Sequence, residues 1–275
     1  MQLCWTPGSR WRKLPALLIA LILAVASQIP GVRAAQTCAG GLGQASFATG
    51  EALAGELEIL SWNIQKAGNA GWAKDLARMT GDIHLAFIQE ASLQAQIPEA
   101  IPTPLVQAFA AGYTTASQDT GVMTLSASSP SLQCNFTAWE PWLGTPKATS
   151  ITEYPLRGRA ERLLAINLHA VNFTFGLADF QQQFQDLAGV LSRHEGPVIL
   201  AGDLNTWSDS RQTLVDNFMH EFELQPVTFS PDLRTTTFGR ALDHIYIRGM
   251  HAQLARVIPV SSSDHNPLRV RLALP

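Results

Sequence analysis

Eight side chains suited to binding hard cations or moving protons stand at or just past the ends of apolar runs in this chain of 275 residues: Asn63, Glu90, His169, Asp203, Asn205, Asp243, Asp264 and His265. Carboxylate and amide oxygens suit Mg2+ or Mn2+. An imidazole held by a carboxylate can exchange a proton near neutral pH. A single Asp or Asn after a strand is most often a turn former or a helix cap. Eight such residues along one chain point instead to the rim of a sheet, where a rigid scaffold presents functional groups.

The elements that must carry them are legible as periodicities. Leu57, Ile59 and Ser61-Trp62-Asn63-Ile64 read as a buried strand, and Trp72, Leu76 and Met79 recur at helical spacing. Ile83 to Ile88 is a short apolar strand leading into Gln89-Glu90. Gly121 to Ser126, Leu132 to Trp139, Lys147 to Tyr154 and Arg162 to His169 follow as strands separated by Ser/Pro and Pro/Gly breakers. Leu177, Phe180, Phe184, Leu187 and Leu191 mark the clearest amphipathic helix. Pro197 to Ala201 predicts a strand running into Gly202-Asp203-Leu204-Asn205, and a weaker helix covers about Ser208 to His220. Ala241 to Ile247, Gln253 to Ile258 and Leu268 to Leu274 close the chain as strands. The order excludes strict strand-helix alternation, and no Gly-rich phosphate loop follows a strand. It predicts an α/β protein of packed sheets with helices outside.

Ser61-Trp62-Asn63-Ile64-Gln65, Ile88-Gln89-Glu90, Asn167-Leu168-His169, Gly202-Asp203-Leu204-Asn205, Leu242-Asp243-His244-Ile245 and Ser263-Asp264-His265-Asn266-Pro267 occur in that order. This succession resembles the motifs of the endonuclease/exonuclease/phosphatase superfamily. Pancreatic-type deoxyribonuclease, secreted sphingomyelinases and inositol-polyphosphate phosphatases belong to it. The resemblance runs from about Glu56 to the C-terminus, and within the superfamily the chain is similar to the YafD-type bacterial branch. It implies a four-layer α/β sandwich, two packed mixed β-sheets flanked by helices, with the site at one edge. The implied activity is divalent-metal-dependent hydrolysis of a phosphoester, of the phosphodiesterase or endonuclease kind.

On that reading Asn63, Glu90 and Asp264 are the expected ligands of Mg2+ or Mn2+. His265 is the expected general base, or else an imidazolium on the phosphate, with Asp243 orienting its ring. Asp203 is the competing base for the attacking water. Asn205 would donate its amide to a phosphoryl oxygen, and His169 would contact the phosphate or assist the leaving group. His244 points to the opposite face from Asp243 in a strand, so it stays outside the set. Lys147 and Arg157 are possible phosphate contacts, though solvated cations are the commoner case. Two features depart from the DNA-cutting members. Gly121-Val122-Met123-Thr124 offers no carboxylate to pair with His169, and Ala91-Ser92-Leu93, with no arginine, follows Glu90.

A formal net charge of -3 argues against tight nonspecific binding of nucleic acid. Arg10, Arg12 and Lys13, the apolar run Leu14 to Ala26, and Val32-Arg33-Ala34 have the layout of a secretory signal peptide over residues 1–34. An uncleaved membrane anchor is the alternative. Residues 35–55 read as a flexible lead-in, and 56–275 as the single catalytic domain of a monomer. The expected compartment is the periplasm or the exterior. There Cys38 and Cys134 either form a disulfide or remain free thiols. The expected partner is a phosphoester, either nucleic acid or a phospholipid or small molecule. Exposed aromatics such as Phe173, Phe175 and Trp142 would favour the lipid. A non-enzymatic binding protein that keeps the fold is the remaining alternative.

Overall fold

The computed structural model describes residues 37–44, 52–141 and 143–275. Two six-stranded mixed sheets pack face to face. The first contains β1 (Glu56–Asn63), β2 (Leu85–Ser92), β3 (Val106–Thr114), β4 (Asp119–Ser126), β13 (His251–Val257) and β14 (Leu268–Ala273), in the order β13-β14-β1-β2-β4-β3. The second contains β5 (Leu132–Glu140), β6 (Thr145–Pro155), β7 (Arg162–His169), β8 (Val198–Asp203), β9 (Gln225–Pro226) and β12 (Asp243–Arg248), in the order β5-β6-β7-β8-β12-β9. A two-stranded ribbon, β10 (Thr236–Thr237) and β11 (Arg240–Ala241), stands apart. Helix α1 (Trp72–Met79) covers the outside of the first sheet; α2 (Ala178–Leu191) and α3 (Asp209–Glu221) cover the second. This is the four-layer arrangement expected from the sequence.

Alternation along each strand builds the layers, because successive side chains point to opposite faces. Leu57, Ile59, Leu85 and Phe87 meet Leu163, Ala165, Ile199, Ala201, Ile245 and Ile247 between the sheets. The intervening Leu60, Trp62 and Ile88 pack against Leu76 and Met79 of α1. Leu164, Ile166, Val198 and Leu200 pack against Phe180, Phe184 and Leu187 of α2 and Val215 of α3. Ser208 caps α3 by accepting from the Arg211 N–H at 3.3 Å. Strand β3 escapes the periodicity because its buried positions are the small Ala108 and Ala110, flanked by mostly exposed residues.

The segment 35–55, expected as a tail, carries a helical turn at residues 37–41 whose Cys38 is disulfide-bonded to Cys134 of β5. Leu53 bridges to Leu156 in parallel. Residues 1–34, where the signal peptide is expected, lie outside the described residues. Among the described residues no helix is long and apolar enough to cross a membrane.

Candidate active site

The inward-facing series of β1, β7, β8 and β12 is apolar along most of its length and turns polar at one end. In β1 it runs Leu57, Ile59, Ser61, Asn63; in β7, Leu163, Ala165, Asn167, His169; in β8, Ile199, Ala201, Asp203. Strand β12 runs antiparallel to β8 and begins there with Asp243. Register completes the row: His169 lies opposite Asp203, and Asp203 opposite Asp243. One layer below, Gln89 Nε2 donates to Asn167 Oδ1 at 2.7 Å, and Asn167 Nδ2 donates to the Met123 carbonyl at 3.0 Å. These buried amides tie the two sheets together directly beneath the site.

Asp203 is the hub. Asn63 Nδ2 donates to its Oδ2 at 3.0 Å, and the Asn205 backbone N–H donates to Oδ1 at 3.1 Å. The same Oδ2 lies 3.5 Å from His169 Nε2 and 3.9 Å from His265 Nε2. His265 Nδ1 bonds Asp243 Oδ2 at 2.7 Å. The Trp62 indole donates to the His265 carbonyl, and Ser263 Oγ donates to the Asn63 carbonyl while accepting from His265 N–H. Those three bonds join the Ser61-Trp62-Asn63 motif to the Ser263-Asp264-His265 motif.

Glu90 reaches the rim through a bulge. Between β2 and β4 the register moves from Ile88↔Met123 to Ala91↔Gly121, so Gln89 and Glu90 together oppose Val122. A bulge re-aims one side chain, and Glu90 takes φ 49°. Asn205 has φ 49°, and Gln65, Lys66 and Ala67 are also left-handed. Non-glycine residues seldom hold such angles, and where they gather they mark functional sites.

Electrostatics divides the roles. Burial raises Asp203 to about 6; His265 pulls it down and Asp243 pushes it up. Burial works to lower His265, but the charge and hydrogen bond of Asp243, then Asp203 and Asp264, win and raise it to about 10. His265 is therefore an imidazolium near neutral pH. Burial, then Lys147 and His265, hold His169 well below 6.5, so it is neutral.

Seven of the eight expected residues are joined by short contacts or by a common strand end. A chain of contacts runs from Glu90 through Lys147 (3.9 Å), His169 (3.1 Å) and Asp203 (3.5 Å) to His265. Asp264 is exposed beside His265, with Ser263 Oγ 3.4 Å from its Oδ1. Asn205 commits one of its two amide N–H bonds to the Ala170 carbonyl at 2.9 Å, leaving one for a ligand. His244 is buried on the far face, near Thr206 Oγ1 (2.7 Å) and Arg234 (3.3 Å). Asp203, Asp243 and His265 place one ligand atom each within 4.8 Å of one another, a group that could hold a metal ion.

Sequence reading missed Glu140 and Arg211. Buried Glu140 accepts from the Asn172 N–H and from Thr145 Oγ1. Arg211, 1% exposed, donates to the carbonyls of Val171, Asn205 and Asn172 while its guanidinium lies over the rings of Phe180 and Trp207. It fixes the loops after β7 and β8. No local pattern marks an arginine in a helix for that role.

A polar ring at the ends of two packed sheets defines a class: the chain belongs to the Endonuclease/Exonuclease/phosphatase family, whose model matches residues 60–265. Closer relatives are UPF0294 proteins. One from Vibrio vulnificus is 41% identical over 227 residues, covering 80% of this chain and 78% of that protein. Another from Photorhabdus laumondii is 37% identical over 216 residues, covering 78% and 83%. Among solved structures, a mannosyl-6-phosphatase of Bacteroides thetaiotaomicron aligns with TM-score 0.60 at 17% identity, over 79% of this chain and all of that one. The human Nocturnin catalytic domain aligns with TM-score 0.56 at 13% identity, over 82% and 97%. At such identities the structural likeness speaks for the fold.

Proposed function

We propose that this protein hydrolyses a phosphoester with the help of a divalent cation, Asp203 activating the attacking water. The observation that carries the proposal is the placement of Asp203. It is a buried carboxylate with a raised pKa, held by Asn63 at 3.0 Å between two imidazoles. A base poised near the working pH suits proton abstraction from water. His265, kept protonated by Asp243, supplies positive charge to the phosphoryl oxygens. The free N–H of Asn205 serves the same group. The water attacks in line with the leaving oxygen.

The donor chemistry fits a hard cation. Asn63, Glu90 and Asp264 offer oxygens alone, which suits Mg2+ or Mn2+. The Asp203, Asp243 and His265 group suits it less, because Asp243 Oδ2 and His265 Nδ1 already share a proton at 2.7 Å. When bound, such a cation would polarise a phosphoryl oxygen and offset the charge of the transition state.

A second reading concerns the substrate. Phe173 is 50% exposed, Phe175 71%, Trp139 63% and Leu143 58%; Trp142 lies outside the described residues. Phe173 and Leu143 line the cavity that contains Glu90 and His169. With the acidic net charge, this favours a phospholipid or small phosphoester over DNA. We also propose that the protein is exported. The signal-like N-terminus and the Cys38–Cys134 bond, a pairing that oxidising compartments favour, support this.

A panel of plasmid DNA, RNA, sphingomyelin, phosphatidylinositol phosphates and simple monoesters, with Mg2+, Mn2+ or Ca2+, tests the function. Asp203→Asn should lose about 10²–10⁴ of the rate on any ester cleaved. Activity equal in wild type and Asp203→Asn would end the proposal.

A further inference from the structure

Lys147, in β6, stands beside His169, for which Gly121-Val122-Met123-Thr124 of β4 offers no carboxylate. Its Nζ lies 3.1 Å from His169 Nε2. It also lies 3.9 Å from Glu90 Oε1 and 3.9 Å from Glu140 Oε1, close enough to pair charges but beyond hydrogen-bond reach. An ammonium has three N–H donors and no acceptor. Nε2 of His169 must therefore accept, and the ring proton resides on Nδ1. Held so, His169 has no Nε2–H to offer a phosphoryl oxygen or a leaving group. The ammonium beyond it has two donors unspent and lines a cavity of ≈ 350 Å³ together with Glu90, His169 and Lys66.

Burial and strand geometry keep Lys147 there. Its side chain is 18% exposed. The neighbouring strands approach through glycine: a Cβ on Gly112 would stand 2.9 Å from the Pro146 carbonyl oxygen. Gly121, on β4, would drive a Cβ to 2.0 Å from the Ala110 carbonyl oxygen. Gly112 of β3 and Gly121 of β4 line the same cavity as Lys147.

We propose that Lys147 is the cation that contacts the phosphoryl group of the substrate at the Glu90 side of the site, and that His169 is a neutral positioning residue that holds it. This rests on the phosphoester reading and assigns His169 a role different from direct contact with phosphate. The ammonium satisfies one donor on His169 and presents the others to an anionic oxygen, where charge-assisted bonds are strongest. Buried Glu140 offsets its charge.

Two measurements on the full chain with Mg2+ test this. Inorganic phosphate is titrated calorimetrically into wild type, Lys147→Gln, Lys147→Arg and His169→Asn, each checked for folding by its thermal transition. The ring-nitrogen NMR signals of His169 are assigned in wild type and Lys147→Gln. Lys147→Gln should bind phosphate roughly ten- to hundredfold more weakly. Lys147→Arg keeps the charge in another shape and should fall between it and wild type. His169→Asn should weaken phosphate less than Lys147→Gln does. Wild-type His169 should carry its proton on Nδ1. Unchanged phosphate affinity in Lys147→Gln, or a proton on Nε2 in wild type, would overturn the assignment, and the NMR result stands even if Lys147→Gln fails to fold. Hydrolysis assays on the same preparations separate the two claims. Phosphate held through Lys147 by a protein that cleaves nothing leaves the anion site and removes the hydrolase. Cleavage with phosphate binding indifferent to Lys147→Gln does the reverse.

Discussion

At the scale of the residue, the protonation states of Asp203 and His265 set what the site can do. The proposed hydrolysis calls for Asp203 as carboxylate and His265 as imidazolium. Asp203 gives up its proton near pH 6, and His265 keeps its proton to about 10. The rate on any cleaved ester should therefore rise with pH as Asp203 ionises and fall as His265 is neutralised, a bell-shaped profile. A cation nearby favours the ionised carboxylate, so more Mg2+ should move the acid limb to lower pH. Asp243→Asn removes the first charge that raises His265 and should pull the alkaline limb toward neutrality. A kcat/KM profile from pH 5 to 10 on both proteins checks this; an alkaline limb that Asp243→Asn leaves in place would contradict it.

At the scale of the element, the close approach of β7 and β8 decides whether His169 and Asp203 can meet. Gly202 has φ 150°, and a Cβ there would lie 1.9 Å from the Leu168 carbonyl oxygen. Gly202→Ala must push the two strands apart within a fully buried ladder. We expect a loss above about 3 kcal/mol, seen as a fall in Tm and in soluble yield. Arg211 acts on the loops after the same strands. Arg211→Met would leave the carbonyls of Val171, Asn172 and Asn205 without their donor in the interior, at about 1–3 kcal/mol for each left unsatisfied. Urea unfolding should show a lower midpoint. Any folded fraction should lose activity as well, because Asn205 is no longer fixed.

At the scale of the whole molecule, the first described residues are fastened to the second sheet. Cys38 is buried in the core on the helix side of the second sheet, and its bond to Cys134 of β5 closes a loop with a sequence separation of 96. Constraint of the unfolded chain by a loop of that size is worth up to about 4–5 kcal/mol. Reduction, or Cys38→Ser with Cys134→Ser, should lower Tm by several degrees and leave the pH profile unchanged. A Tm indifferent to reductant would show that the N-terminal segment adds nothing to stability.

The chain declared by itself most of the long strands and what stands at their ends, because each buries its own alternating face and writes that pattern locally. Arg162–His169 was legible to the residue, and so were the six motifs that carry Asn63, Glu90, His169, Asp203, Asp243 and His265. Strand β3 was not legible, since Ala108 and Ala110 leave too little apolar signal. The meeting of Asn63 with Asp203 across 140 positions, the bulge that turns Glu90, and the seats of Lys147 and Arg211 belong to the tertiary structure. Those depend on how two sheets stack and how closely their backbones approach. Such contacts join residues distant in the chain, so no window of sequence records them.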